Sequence, residues 1–373
     1  MRKDFLLRLL AVILGFTLVA AACSDDDGDG GDAAADDAAD DSSDDTVEAT
    51  QGDSDLLVEI QDRGELNCGV STVSIGFAVQ DSDGIYQGFD ADFCRATAVA
   101  ILGDAEAINI IGLTAAERFT AVQTGQVDLL HRNTTWTQSR DSDVGMDFGP
   151  TTYFDGQQLM ARASDGFSNA SGVADIDGAV VCTNAGTTTE KNIAEAADLL
   201  GITITLNTFE DFDIVTQNFI DGACDVITTD GSGLVGRKAE QQPAGEEWVI
   251  FPGAPISKEP LGPTYGQNQS RFADVVNWTV YAMLIADEYG VNQANVDSFL
   301  DAEGELGRIL GVGDDEVQSA MGIAPDAFYQ VIKQVGSYSD LWERHLAPLG
   351  LTLEGTVNDL HTNGGLMYPP PAR

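Results

Sequence analysis

Two stretches far apart in the chain, TGQVDLL from Thr124 and DGACDVI from Asp221, share one grammar: glycine, two residues, aspartate, then an apolar strand. Each closes a run of the same kind. The first run reads as strand ELNCGVST, helix ADFCRATAVAILG, strand INIIGL, helix AAERFTAVQTG stopped by Gly125, and strand VDLLHRN. The helical spacing of Phe93, Ala96, Val99 and Ala100 supports the first helix. Between its first strand and that helix, GFAVQDSDGIYQGFD reads as an extended segment with a turn at Asp83-Gly84. The second run repeats the order with strand GAVVCTNA, helix TTTEKNIAEAADLLG, strand ITITLN, helix FDIVTQNFIDG and strand CDVITTD. Ile202, Ile204 and Leu206 alternate along its middle strand. Short apolar strands alternating with helices must be covered on both faces, which is the pattern of a parallel α/β sheet. Two such units predict an α/β chain of two parallel-sheet lobes. Ligands of such sheets sit beyond the carboxyl ends of the strands, so two lobes that face each other hold a ligand between those ends.

The N-terminus stands outside this pattern. MRKDFLLR is basic, LLAVILGFTLVA is apolar, and LVAAAC ends in small residues and Cys23. This reads as a secretory signal over residues 1–22. The apolar run falls short of the ~20 residues a membrane-spanning helix needs. The resemblance of LVAAAC to bacterial lipoprotein processing sites implies cleavage before Cys23 and a diacylglycerol on its sulfur, hence an extracytoplasmic protein anchored to a membrane by lipid. Residues 23–55 then form an acidic tether without aromatics, which cannot bury enough apolar surface to order itself. The chain of 373 residues carries a formal charge of −43. Nucleic acid is excluded as a partner, because phosphate binding needs clustered Lys and Arg.

Four cysteines remain: Cys68, Cys94, Cys182 and Cys224. In an exported body an even number reads as two disulfides, with three possible connectivities. Cys68–Cys94 and Cys182–Cys224 are the expected pairs, since each lies within one βαβ half; four free buried thiols are the alternative. No metal is expected: no C-x-x-C occurs, and His131, His345 and His361 cluster with none of the cysteines.

Polar residues gather where the predicted strands end. RNTTWTQSR follows VDLLH, Asp230 follows DVITT, and GTTTE follows GAVVCTNA. Thr187 and Glu190 have capping-box spacing, and a helix start of that kind also attracts an anion through its free N–H groups and dipole. Arg140 suits a bidentate carboxylate contact, Thr187, Thr188 and nearby amides add donors, and Asp230 accepts from an ammonium. Together they suit a zwitterion. Each has a plainer reading: Arg140 as a surface arginine, Asp230 as the cap of a helix beginning near Ser232, Trp136 as a core or lobe-edge residue rather than a lid over the ligand.

The stretches GELNCGVST, QGFDADFCRA, GLTAAERFTAVQTGQVDLLHRNTTWTQSRD, VCTNAGTTTE, CDVITTDGSGL, ISKEPLGP, WTVYAML, GVNQANVD and GGLMYPPPAR resemble the amino-acid-binding proteins of ABC importers, most closely their general L-amino-acid-binding branch. The resemblance spans about residue 60 to the end. It implies the type II periplasmic-binding-protein-like fold, with two lobes joined by two crossover strands that close on the ligand by hinge motion. It places Arg140 on the α-carboxylate, Asn133 and Thr135 on the α-amino group and carboxylate, Thr188 and Thr187 in the carboxylate loop, and Asp230 on the ammonium. Ser74 stands where narrower relatives have a stacking aromatic and the general branch a leucine, which leaves room for varied side chains. His131, where serine is more usual, reads as a strand-end residue. The crossovers fall near TTYFDG and ISKEPLG, so lobe I takes residues 56–154 plus 258–373, with FADVVNWTVYAMLIADEYG and later helices as a C-terminal extension, and lobe II takes 155–257.

The function so implied is capture of L-amino acids, broad in specificity, and delivery to an ABC permease with its ATPase, by a monomer without cofactor. Two alternatives remain: an exported enzyme on the same fold, such as a dehydratase or cell-wall lyase, and a sensor domain. An enzyme needs an acid or base aimed at a reacting bond, and no GxSxG, HExxH or Cys–His arrangement is present.

Overall fold

The computed structural model describes residues 55–313 and 317–373; the signal, Cys23 and the tether as far as residue 54 lie outside them. Asp55, expected as the last tether residue, caps the first helix, Leu56–Arg63, by accepting from the Leu57 amide, and pairs with Arg271. Among the described residues no helix is long and apolar enough to cross a membrane.

The two sequence units build two five-stranded sheets of one topology. In the first, Leu66–Val70 lies between Ile108–Gly112 and Leu129–Leu130, all parallel. In the second, Val180–Asn184 lies between Thr205–Phe209 and Val226–Asp230, again parallel. The matching glycines, Gly125 (φ 71°) and Gly222 (φ 76°), take the left-handed backbone that ends the preceding helix. ITITLN enters its sheet late: pairing starts at Thr205, while Ile202 and Ile204 pack on the lobe core ahead of the ladder.

Both sheets are mixed rather than parallel, which corrects the sequence expectation. Gln157–Arg162 runs antiparallel to Val226–Asp230, and Trp248–Phe251 adds antiparallel beyond it. Thr264–Gly266 likewise runs antiparallel to Leu130 and to Met146–Phe148. In each lobe the antiparallel neighbour of the third parallel strand is the segment that has just crossed from the other lobe. The crossings themselves, Tyr153–Asp155 and Glu259–Leu261, pair antiparallel with Asp155 opposite Glu259. Two short strands hydrogen-bonded side by side thus form the connection between the two lobes.

The pairs Cys68–Cys94 and Cys182–Cys224 are bonded, each within one unit, at Cα separations of 6.0 and 5.9 Å. The C-terminal helix Ser270–Glu288 buries Phe272, Val275, Val276, Thr279 and Val280. Its apolar residues join one core with Leu66, Cys68, Phe93 and Trp342, so the extension thickens the first lobe's sheet on the face of the Phe89–Leu102 helix. His131 stacks on Phe93 with ring centroids 5.4 Å apart, and burial pulls its imidazole down to about 3, so it stays neutral.

Candidate functional site

The carboxyl ends of the parallel strands in both sheets converge on one cleft. The first lobe contributes Ser71, Ser74 and Phe77, then Arg118, Arg132, Asn133 and Thr135; the second contributes Asn184, Thr187, Thr188, Asp230 and Arg237. Of the residues expected from sequence, Ser74, Asn133, Thr135, Thr187, Thr188 and Asp230 therefore meet on its walls. The lobes touch at its rim, where the Arg237 guanidinium pairs with Asp213 and donates to the Val73 carbonyl across the cleft.

Two expected residues lie elsewhere. Trp136 is 45 % exposed; its ring stacks on Phe148 and its Nε1 donates to Asp141, so it is a surface residue rather than a lid. Arg140 is buried behind the wall. Its Nη1 donates to the Thr135 carbonyl at 2.8 Å and its guanidinium lies over the Phe119 ring.

Arg118 and Arg132 line the wall instead. Arg118 is 2 % exposed, and its Nε is buried without a partner. Arg132 donates from Nε to the Leu113 carbonyl at 2.8 Å. Among the described residues none of Arg118, Arg132 and Arg140 is ion-paired. A buried cation is costly unless paired. Burial, and for Arg118 and Arg132 the repulsion of neighbouring arginines, lowers all three, Arg132 and Arg140 to about 10 and Arg118 well below its ordinary value. This corner of the cleft is built for an anion.

The other pole is acidic. Asp230 occupies the N-cap position of the Gly231–Gln241 helix but makes no side-chain cap bond, so its carboxylate is left for the cleft. Burial, then the charges of Asp155 and Glu259, push it well above the carboxylate range. Asp155, on the first crossing, accepts from Ser232 and the Gly156 amide and is raised by burial to about 6. Across the cleft, Asn133 presents a buried Oδ1 without a donor. Its backbone is left-handed (φ 42°) and is held there by the Asp90 carboxyl, which accepts its N–H at 2.9 Å. Unmatched acceptors at this end call for a donor, ideally a cation.

The threonine loop caps its helix as the spacing suggested, with one change. Thr187 accepts from the Glu190 amide, but Glu190 reaches back to the Gly186 amide. Thr187 gives its own proton to the Asn184 carbonyl. Arg118, Arg132, Asp155 and Glu259 were not singled out from the sequence. Arg132 carried the same strand-end signal as Asn133. Arg118 sits inside a helical run, where nothing local says which face meets the cleft. Asp155 and Glu259 are charges inside otherwise apolar crossing strands, a detectable oddity. Among the described residues no group of His, Cys, Asp and Glu is arranged to hold a metal ion.

A two-lobed body with a polar cleft at its hinge agrees with what the chain is similar to. The general L-amino acid-binding periplasmic protein AapJ of Rhizobium johnstonii is 38% identical over 331 residues, covering 88% of this chain and 95% of that protein. The glutamate/glutamine/aspartate/asparagine-binding protein BztA of Rhodobacter capsulatus is 38% identical over 87% of this chain and 95% of its own length. A periplasmic binding protein of Brucella ovis, solved with glutathione bound, superposes with a TM-score of 0.81 at 39% identity, over 86% of this chain and all of the other. Residues 66–347 match the profile shared by one group of such proteins, and the chain belongs to the bacterial extracellular solute-binding proteins, family 3.

Proposed function

We propose that the protein captures L-amino acids outside the cytoplasm by closing its lobes on them, and delivers them to an ABC permease and its ATPase. The observation that carries this reading is the complementary pair of unmet polar groups on residues lining one cleft, the Arg118 Nε donor in a corner without ion pairs and the Asn133 Oδ1 acceptor near an acidic one. A free amino acid supplies both missing partners. Its α-carboxylate faces Arg118, backed by the charge of Arg140 and by the free N–H groups at the start of the Thr188–Leu200 helix; its ammonium faces Asp230, Asn133 and Thr135. Binding energy that exists only when both walls are in contact is what shifts such a hinge toward its closed state. Ser74 is small and leaves the side-chain end open, which supports broad specificity.

The lobes in this reading are residues 56–154 with 258–373, and 155–257. The chain acts as a monomer, tethered through lipid on Cys23, and takes part in no chemistry. A calorimetric scan of the twenty amino acids tests the proposal. Micromolar or tighter binding of several, including glutamine, glutamate and a branched residue, within about a hundredfold of one another (~3 kcal/mol) is the expected result. Binding of none overturns it, and binding of a single one overturns the breadth. Turnover of any bound compound would favour the enzyme reading instead.

A further inference from the structure

We infer that Glu259 is a positioning residue that joins the two lobes and fixes which end of the ligand each wall accepts. This rests on the amino-acid reading of the cleft. Glu259 lies on the second crossing strand and is 1 % exposed. Its Oε2 accepts from Thr135 Oγ1 at 2.6 Å and Thr188 Oγ1 at 2.9 Å. Its Oε1 accepts from Ser257 Oγ at 2.6 Å and Asn192 Nδ2 at 2.8 Å. Thr135 follows a strand of the first sheet, whereas Thr188 and Asn192 begin a helix of the second lobe. One hinge carboxylate is thus bonded to both lobes and to the segment that leads into its own strand.

Two consequences follow from its donor count. A buried carboxylate is stable only when its lone pairs are met, and four donors meet them here. Separating the lobes carries Thr135 away from Thr188 and strips the carboxylate of partners, so Glu259 is fully satisfied in the closed arrangement alone. The second consequence concerns protons. A threonine hydroxyl has one, and Thr135 and Thr188 both give theirs to Glu259. Each then turns only oxygen lone pairs toward the cleft. They accept from an ammonium and do not donate to a carboxylate, so the Thr188 hydroxyl belongs to the ammonium end, opposite to its sequence assignment. The α-carboxylate is left to Arg118 and backbone amides.

Glu259→Gln tests this. The amide keeps the volume but turns a donor toward two hydroxyls and frees their protons. Interlobe fluorescence transfer on the ligand-free variant should show a more open population than the wild type. Affinity for L-glutamine should fall about tenfold or more, chiefly through faster release. The wild-type preference for L-glutamine over its deaminated analogue should shrink, because freed hydroxyls donate to an anion; a purely structural loss would weaken both compounds alike. Thr188→Val, which deletes one hydroxyl at equal size, should reproduce the shrinkage and serves if the glutamate variant fails to fold. An unchanged lobe distribution with unchanged selectivity overturns the inference. If the wild type binds no amino acid, the functional reading fails by itself, and the lobe distribution of ligand-free Glu259→Gln still decides whether the carboxylate holds the lobes.

Discussion

Lowering the pH should weaken ligand binding before it harms the fold, because the acidic end of the cleft is raised in its titration. Burial holds Asp155 at about 6, and Asp230 is pushed up by burial and by the charges of Asp155 and Glu259. An ammonium seated against Asp230 favours its ionised form and relieves its repulsion with Asp155 behind it, so the bound pKa values of both lie below the free ones. Above pH 7 Asp155 is ionised with and without ligand, and its contribution to affinity is flat. Below about 6 binding must first expel a proton, and affinity falls by up to about tenfold per pH unit per group. For Asp155 alone, a drop from pH 7.5 to 5 costs about tenfold; release from Asp230 as well steepens the fall. In the ligand-free protein the sign is opposite. A carboxyl raised in the fold contributes most stability below its unfolded value near 3.8, and that contribution is lost as pH rises through about 6. Weak binding at pH 5 therefore cannot be put down to these groups unfolding the protein. Titration calorimetry of L-glutamine at pH 5.5, in two buffers of different ionisation enthalpy, should show release of about one proton, reduced in Asp155→Asn. A dissociation constant unchanged from pH 7.5 to 5, with heats independent of buffer, would refute the reasoning.

Arg118→Met should cost about 3 kcal/mol of binding for every amino acid, roughly a hundredfold in calorimetric affinity, since it removes the unpaired cation on the cleft wall. Trp136→Ala should leave affinity within about twofold, as its ring lies on Phe148 and not in the cleft. Replacing Cys182 and Cys224 together by alanine should lower unfolding stability in denaturant titration by about 4 kcal/mol, from the loss of a crosslink spanning 42 residues of chain.

Much of this architecture was legible because it is local. The strands and helices of both units follow from periodicity and glycine stops, and each disulfide from its place within one unit. Thr187 and Asp230 follow from their positions just beyond strands. The antiparallel strands Gln157–Arg162 and Thr264–Gly266 were not legible, because their partners are set by chain crossings and no short-range pattern encodes a pairing between Thr264 and Leu130. The same limit explains the arginines. Arg140 and Arg132 flank one loop with similar surroundings in sequence, but only packing shows that Arg140 turns to the Thr135 carbonyl while Arg132 reaches the wall. Glu259 was visible as a charge in a hinge strand; that four donors from three segments would converge on it was not.

The central claim is that the cleft recognises both charged poles of an amino acid. Competition calorimetry with L-glutamine, its deaminated analogue and its carboxamide measures each pole in turn. Tight binding of L-glutamine, with at least about a hundredfold loss for either analogue, is the predicted outcome; an analogue lacking one pole that binds as well as the parent would contradict the account.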